Sequence, residues 1–287
     1  VRLAQPMIER LPWLARRVLP SVVACRLYGS MERARYLHDT YQALQQSGLY
    51  SRRVFLDASA VRPRFIADRT FVAHARPDDI VRLAPTVRPG DANFAAIRRQ
   101  LAEGRPFLFG CSYFGCIYFA LLALQDLVRE LLVVVARDPA PGLHYFNKIA
   151  MASGIRITVA GTTESTIALR ILRHLARGGA VATMLDCFHG ERLELRSDFL
   201  GKPAASPGTL YGIARRAGAI VVPTASIHKD GKQLLEIGNL IDLPSTSIEA
   251  ASQSVNDYFS ELIRTYPGQW MGWPNLLARW QMARQTY

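Results

Sequence analysis

Residues 106–118 read Pro-Phe-Leu-Phe-Gly-Cys-Ser-Tyr-Phe-Gly-Cys-Ile-Tyr. Pro106 opens the stretch, and Phe107–Phe109 reads as a short strand buried on both faces. A turn of small residues follows, and Phe114 to Leu124 is apolar enough for a buried helix. The apolar run from Phe107 to Leu124 approaches the length of a membrane span, but Gly110, Ser112 and Gly115 interrupt it, so strand, turn and helix describe it better. The same alternation continues on both sides. Asn93 to Glu103 reads as a helix ended by Gly104. Strands are expected at Leu131–Ala136, Arg156–Val159, Ala180–Leu185 and Ala219–Pro223, with helices at Ser165–Arg177 and Pro207–Ala217. Leu193–Arg196 and Leu234–Ile237 read as added strands. Strands alternating with helices make the fold class α/β, with a mostly parallel central sheet flanked by helices. Residues 52–80 are mixed and Arg-rich, with little usable periodicity.

Four further segments accompany the 106–118 turn. They are Leu175-Ala-Arg-Gly-Gly-Ala-Val-Ala-Thr-Met-Leu-Asp186, Asp198-Phe-Leu-Gly-Lys-Pro-Ala204, the stretch Thr209 to Pro223, and Glu261-Leu-Ile-Arg-Thr-Tyr-Pro-Gly-Gln-Trp270. In this order and spacing, from about residue 95 to 280, the chain resembles the lysophospholipid acyltransferase superfamily, in its lipid A late-acyltransferase (lauroyl and myristoyl transferase) branch. That resemblance implies an acyltransferase-like fold. The family's catalytic motif, His-Phe-Gly-Asn-Trp-Glu, falls on Tyr113-Phe114-Gly115-Cys116-Ile117-Tyr118. Its His lands on Tyr113 and its Glu on Tyr118, so the His-x4-Asp/Glu motif is degenerate. The usual His-Arg-Arg-Trp after the C-terminal Trp is eroded as well, to Pro274-Asn-Leu-Leu-Ala-Arg-Trp280.

In the family the His is a general base on the acceptor hydroxyl, oriented by a carboxylate. Tyr does not replace it readily, because its reference pKa is about 10. The candidate catalytic residues are therefore drawn wider: Cys111, Ser112, Tyr113, Cys116, Tyr118, Asp186 and His189. Cys111 and Cys116 are candidate nucleophiles, against the plainer reading of buried filling. Asp186 matches a family Asp that lines the active site. His189 lies outside the family pattern and is a candidate replacement base. Substrate contacts are expected from Phe114, Gly115, Arg137 and Lys202. The resemblance puts Arg137 facing a phosphate and Lys202 on a hairpin beside the cleft. The backbone N–H groups of Ser112, Tyr113 and Phe114 are expected to be free at a helix start, where they could hold an anion.

The 287 residues carry a formal net charge of +12, almost all of it Arg, since Lys148, Lys202, Lys229 and Lys232 are the only lysines. Arg suits phosphate, sulfate or carboxylate. An Arg-rich genome would give the same bias. The partners expected are an anionic small-molecule substrate, an acidic carrier protein and a partner subunit. No bound cofactor is expected. An acyl donor would arrive on the phosphopantetheine arm of a carrier protein or on coenzyme A. The four cysteines lack metal-ligand spacing and a disulfide pattern, so no metal site is expected and a reducing compartment is. Trp270, Trp273 and Trp280 read as core packing rather than a stacking platform, and nucleic acid is not an expected partner. Residues 1–50 read as an N-terminal helical segment and 51–287 as the α/β domain. Ile8 to Leu19 is a basic amphipathic pattern, with Arg10, Arg16 and Arg17 beside its apolar side. It suits peripheral contact with a membrane, or packing on its own domain. With no secretory signal pattern at the N-terminus, the location expected is cytoplasmic, at the inner face of the membrane.

Three functions follow as expectations. The first is a repurposed acyltransferase-fold enzyme acting on an anionic or carrier-tethered small molecule in specialised metabolism, by cyclisation, elimination or condensation. The second is an acyltransferase moving an acyl group from acyl carrier protein or coenzyme A to a hydroxyl or amine. The third is an inactive binding subunit of a heteromeric complex.

Overall fold

The computed structural model describes residues 30–87, 91–115, 117–135, 142–162, 165–186 and 194–285. Strand β1 (Phe107–Cys111) lies inside a seven-stranded sheet. The sheet is completed by β2 (Glu130–Val135), β3 (Arg156–Gly161), β4 (Ala180–Met184), β7 (Ile220–Lys229), β8 (Lys232–Ile237) and β9 (Ile241–Asp242), with β5 (Glu194–Phe199) and β6 (Lys202–Pro207) forming a separate antiparallel hairpin. The order is β3-β2-β4-β1-β7-β8, with β9 also on the outer side of β7. The first five are parallel, and β8 and β9 pair antiparallel to β7. This is the α/β fold with a mostly parallel sheet that the sequence implies. Strands covered on both faces need apolar residues at every position, which is why they appear as unbroken runs such as Phe107-Leu-Phe109 and Leu131-Leu-Val-Val-Val135.

Successive residues of each strand feed two different cores. Leu108, Leu132, Val134, Val181 and Val221 face one layer. That layer holds α1 (Ser30–Ser47), α7 (Ile167–Leu175), α8 (Thr209–Arg216), α9 (Ile248–Thr265) and α10 (Trp273–Gln285), with Ala43 and Leu44 of α1 fully buried in it. Phe107, Phe109, Leu131, Val133, Ala182 and Val222 face the other. There they meet the C-terminal half of α2 (Arg52–His74), α3 (Pro77–Val81), α4 (Ala92–Ala102), α5 (Ile117–Leu122) and α6 (Leu143–Ser153).

Several elements differ from the expectation. The unpatterned stretch 52–80 is largely one helix, α2, of 23 residues, capped by Ser51 and carrying Pro63 inside it. The helix after β1 is shorter than expected, Ile117–Leu122 rather than Phe114–Leu124, because the turn runs on through Gly115 at φ 58°. Helix α6 was not foreseen. Strand β7 runs six residues past Pro223. Pro223 is tolerated because it falls on the outer side of β7 between the pairings of β9 and β8, where its carbonyl accepts from Gly238 N–H at 2.9 Å and no ladder donor is required. The expected helix Ile8–Leu19 lies outside the described residues. Among the described residues no helix is long and apolar enough to cross a membrane.

The entries to β1 and β4 touch. Gly178 sits at φ 75°, and a Cβ there would come within 2.8 Å of the Gly104 carbonyl oxygen, a backbone atom that cannot move aside cheaply. Gly154 has a similar φ of 70° with open space around it. Gly154→Ala should therefore cost only the left-handed backbone penalty, about 1–2 kcal/mol. Gly178→Ala should cost clearly more. Urea denaturation of the two variants measures the difference, and equal losses would mean that the β1–β4 entry contact yields freely.

Candidate active site

The carboxyl ends of β2, β4 and β1 lie side by side, as parallel neighbours in register. Open parallel sheets bind ligands beyond such ends. Cys111 pairs with Met184, and the ladder goes one step further, with Leu185 N–H donating to the Cys111 carbonyl at 3.0 Å. The chain then turns at Ser112 and Tyr113 on one side and at Asp186 on the other.

Asp186 organises what lies there. Its Oδ2 accepts three hydrogen bonds: from Ser112 Oγ at 2.6 Å, from Tyr113 N–H at 2.7 Å and from Trp270 Nε1 at 2.7 Å. The residue is 2% exposed, and its Oδ1 is buried with no hydrogen-bond partner. Burial pushes the Asp186 carboxyl above the ordinary aspartate range, and the three donors and the charge of Arg279 offset part of that. Arg279 is itself buried. It donates to the Asp186 carbonyl at 2.9 Å, to the Ala205 carbonyl at 3.0 Å and to Ser206 Oγ at 3.2 Å, and it lies over the Phe199 ring. The C-terminal Pro267-Gly-Gln-Trp270 segment locks the same place from outside. Gln269 accepts from the N–H of His228 and donates to its carbonyl, Met271 N–H donates to the Tyr113 carbonyl, and Phe114 and Trp270 form an antiparallel bridge.

These contacts settle where the expected site residues lie. The Tyr113 N–H is given to Asp186, so it is not a free donor for an anion, and helix α5 begins four residues after it. Ser112 is buried and likewise donates to Asp186. Cys111 is buried between Thr224 Oγ1 and the Phe109 carbonyl, and burial raises its thiol pKa to about 12. A thiol at that value holds almost no thiolate near neutral pH, which removes the physical basis for Cys111 as nucleophile. Phe114 is fully buried core, so it lines no surface a substrate could reach. Gly115 passes close to the Ser226 carbonyl of β7. Lys202 donates to the Gln46 carbonyl at 2.8 Å and lies over the Trp280 ring, joining hairpin β5–β6 to α1 and α10 instead of reaching toward the strand ends. Cys116, Arg137 and His189 lie outside the described residues.

Tyr113 and Tyr118 part company. Tyr113 is half-buried and packs on the core layer of α7 to α10. Tyr118 is 6% exposed and belongs to the opposite layer, where its ring meets Phe65, Tyr145 and Phe146 at centroid distances of 6.4, 5.4 and 5.2 Å. The sequence reading missed Trp270 and Arg279 as site residues. Trp270 ends a stretch that carries the resemblance, and that was the available signal, whereas Arg279 stands in the eroded stretch 274–280.

The sequence model for bacterial lipid A biosynthesis acyltransferases matches residues 72–281, well over half of the chain. The chain belongs to this family. A comparison with curated proteins finds none that matches. The match to the lipid A acyltransferases begins in the last turn of α2 and ends just past Arg279, so it takes in the whole sheet and all of the Asp186 junction. The match establishes an acyltransferase-like scaffold and suggests a transferase.

Trp270→Phe keeps one aromatic ring but removes the N–H donor to Asp186 and part of a buried indole, and should cost at least about 1.5–3 kcal/mol of stability. Asp186→Asn adds a pH signature. An acid whose pKa is raised by folding holds its proton more tightly in the folded state, so wild-type stability falls as pH rises from the ordinary aspartate range through the raised value. Asn does not titrate there. The stability difference between Asp186→Asn and wild type should shift in favour of Asn between pH 4 and pH 8, read from urea midpoints. A shift the other way would mean that the three donors outweigh burial.

Proposed function

We propose that this member of the lipid A acyltransferase family is an enzyme turned to a reaction other than His-driven acyl transfer to a lipid. Its substrate is an anionic small molecule, free or held on the phosphopantetheine arm of a carrier protein. The observation that carries the reading is the separation of Tyr113 and Tyr118 into opposite core layers. A base and its orienting carboxylate must share a hydrogen bond. Tyrosine supplies neither an imidazole nor a carboxylate, and these two rings pack in different core clusters rather than on each other. The basic balance of the chain suits an acidic carrier. His189, three residues beyond Asp186, is the candidate base, and Arg137, two residues beyond β2, the candidate contact for the anion. Cyclisation, elimination and condensation are the reaction types that such a substrate would support.

A second reading, a non-catalytic binding subunit, is favoured by one observation. Asp186, Ser112 and Cys111 are turned inward, so none of them offers an exposed acid, base or nucleophile.

The test supplies purified protein with acyl carrier protein bearing a mass-labelled acyl chain, together with lipid A precursor or lysophospholipid. No labelled lipid should form, while the loaded carrier should bind and Arg137→Ala should weaken that binding roughly 10- to 150-fold. Efficient lipid acylation that survives Tyr113→Phe and Cys111→Ala would overturn the proposal and move the base of an ordinary acyltransferase to His189. Binding without turnover of any carrier-tethered substrate would favour the binding subunit.

A further inference from the structure

Beside Tyr118, the last turns of α2 face the first turns of α6, and four basic side chains come from them. Arg69 and His74 belong to α2, His144 and Lys148 to α6. Arg69 donates to Tyr145 Oη at 3.3 Å, with its guanidinium 4.6 Å from the Tyr145 ring centroid and 5.9 Å from that of Phe65. Lys148 Nζ donates to the carbonyl of Ala75, the residue after His74, at 3.2 Å. His144 and Lys148 are four apart and share a helix face. The His144 ring packs on Tyr145 at 3.6 Å, and His74 Nδ1 is buried with no hydrogen-bond partner.

None of the four forms an ion pair among the described residues. Of the charged groups on the elements packed against α6, Asp79 of α3 pairs with Arg76 and Arg82, Arg156 of β3 pairs with Glu130, and Asp68 of α2, next to Arg69, has an interaction of its own. Asp78 of α3 forms no ion pair with the cluster. The crowding is felt by the imidazoles. His74 is held below the ordinary histidine range by burial and then by Lys148 and His144, and His144 by burial and then by Arg69. Like charges collected without a counter-charge oppose folding, and such arrangements concentrate where a ligand supplies the missing charge.

We propose that Arg69, His74, His144 and Lys148 form a binding site for the phosphoryl group of a small-molecule substrate. This deepens the reading above and rests on it for the substrate being anionic. A carboxylate is flat and is satisfied by one guanidinium fork. A phosphoryl group takes donors from several directions and carries more charge, which suits two permanent cations and two imidazoles that can each accept a proton. Behind this cluster the half-buried rings of Phe65 and Tyr145 pack onto the buried ring of Tyr118.

The experiment titrates inorganic phosphate, and acetate at matched ionic strength, into wild type, Arg69→Gln, Lys148→Gln and the exposed control Arg216→Gln. Phosphate should bind wild type and the control alike. Each cluster variant should weaken it roughly tenfold or more, and acetate should bind at least tenfold more weakly than phosphate. Histidine NMR on wild type should show the His74 and His144 pKa values rising when phosphate is added, a readout that survives if a variant fails to fold. Equal affinity for acetate, unchanged affinity in both cluster variants, or histidines indifferent to phosphate would overturn the proposal. So would cluster variants that lose sedimentation with phosphatidic acid vesicles while keeping phosphate affinity, which would make the patch a lipid contact. Loaded carrier that binds the cluster variants as tightly as wild type would sink this site and leave the functional reading standing. Phosphate binding without carrier binding would leave the site and remove the carrier.

Discussion

A carboxylate taken out of water must find its hydrogen bonds inside the protein, and Asp186 finds all three of its own on one oxygen. The donors come from two distant parts of the chain, the turn after β1 and the segment before α10. The carbonyl of the same residue accepts from Arg279, which reaches on to β6. One residue at the end of β4 thus holds together the central strands, the outlying hairpin and the C-terminal helix. The demand runs both ways, since removing Asp186 would strand three buried donors and leave Arg279 without its nearest buried carboxylate. The position where the family resemblance suggested chemistry is occupied by a residue whose first duty is structural.

With Asp186 committed, the two tyrosines of the turn and the following helix go to different core layers. Tyr118 has been absorbed into an aromatic cluster with Phe65, Tyr145 and Phe146, in a layer lined with basic groups from α2 and α6. Tyr113 remains half-buried on the other side of the sheet. The family match spans this scaffold, including the whole clamp from Ser112 to Arg279.

The central strands were legible because two-sided burial leaves a signature no other element has at that length, an unbroken apolar run between turn residues. Helix α2 was not. Its buried residues, Ala58, Val61, Ala67, Phe71 and Val72, do not keep one stripe, because its first half packs on α1 and the Pro267–Gln269 turn and its second half on α6. Pro63 argued against a helix as well. Pro223 cut β7 short in the reading for a similar reason. A proline says that one N–H is missing, but not that the gap between β8 and β9 lies opposite it. At the site the turn was placed correctly, but spacing cannot reveal which way a side chain points. Ser112, Cys111 and Lys202 have the chemistry of a site, and the fold turns each of them toward other protein groups. Trp270 and Arg279 have the look of core and support, and they complete the junction.

The hairpin turn between β5 and β6 contains Leu200 at φ 54°, followed by Gly201 at 83°. Leucine enters that left-handed region only under compulsion. The compulsion comes from α9, whose Ser260 accepts the Leu200 N–H at 3.0 Å, and from the core that closes over the side chain. Local preference and tertiary structure disagree at this residue. The hairpin therefore has little persistence as an isolated segment and takes its shape from the helices that dock on it. The Arg279 contacts to Ala205 and Ser206 inherit that dependence.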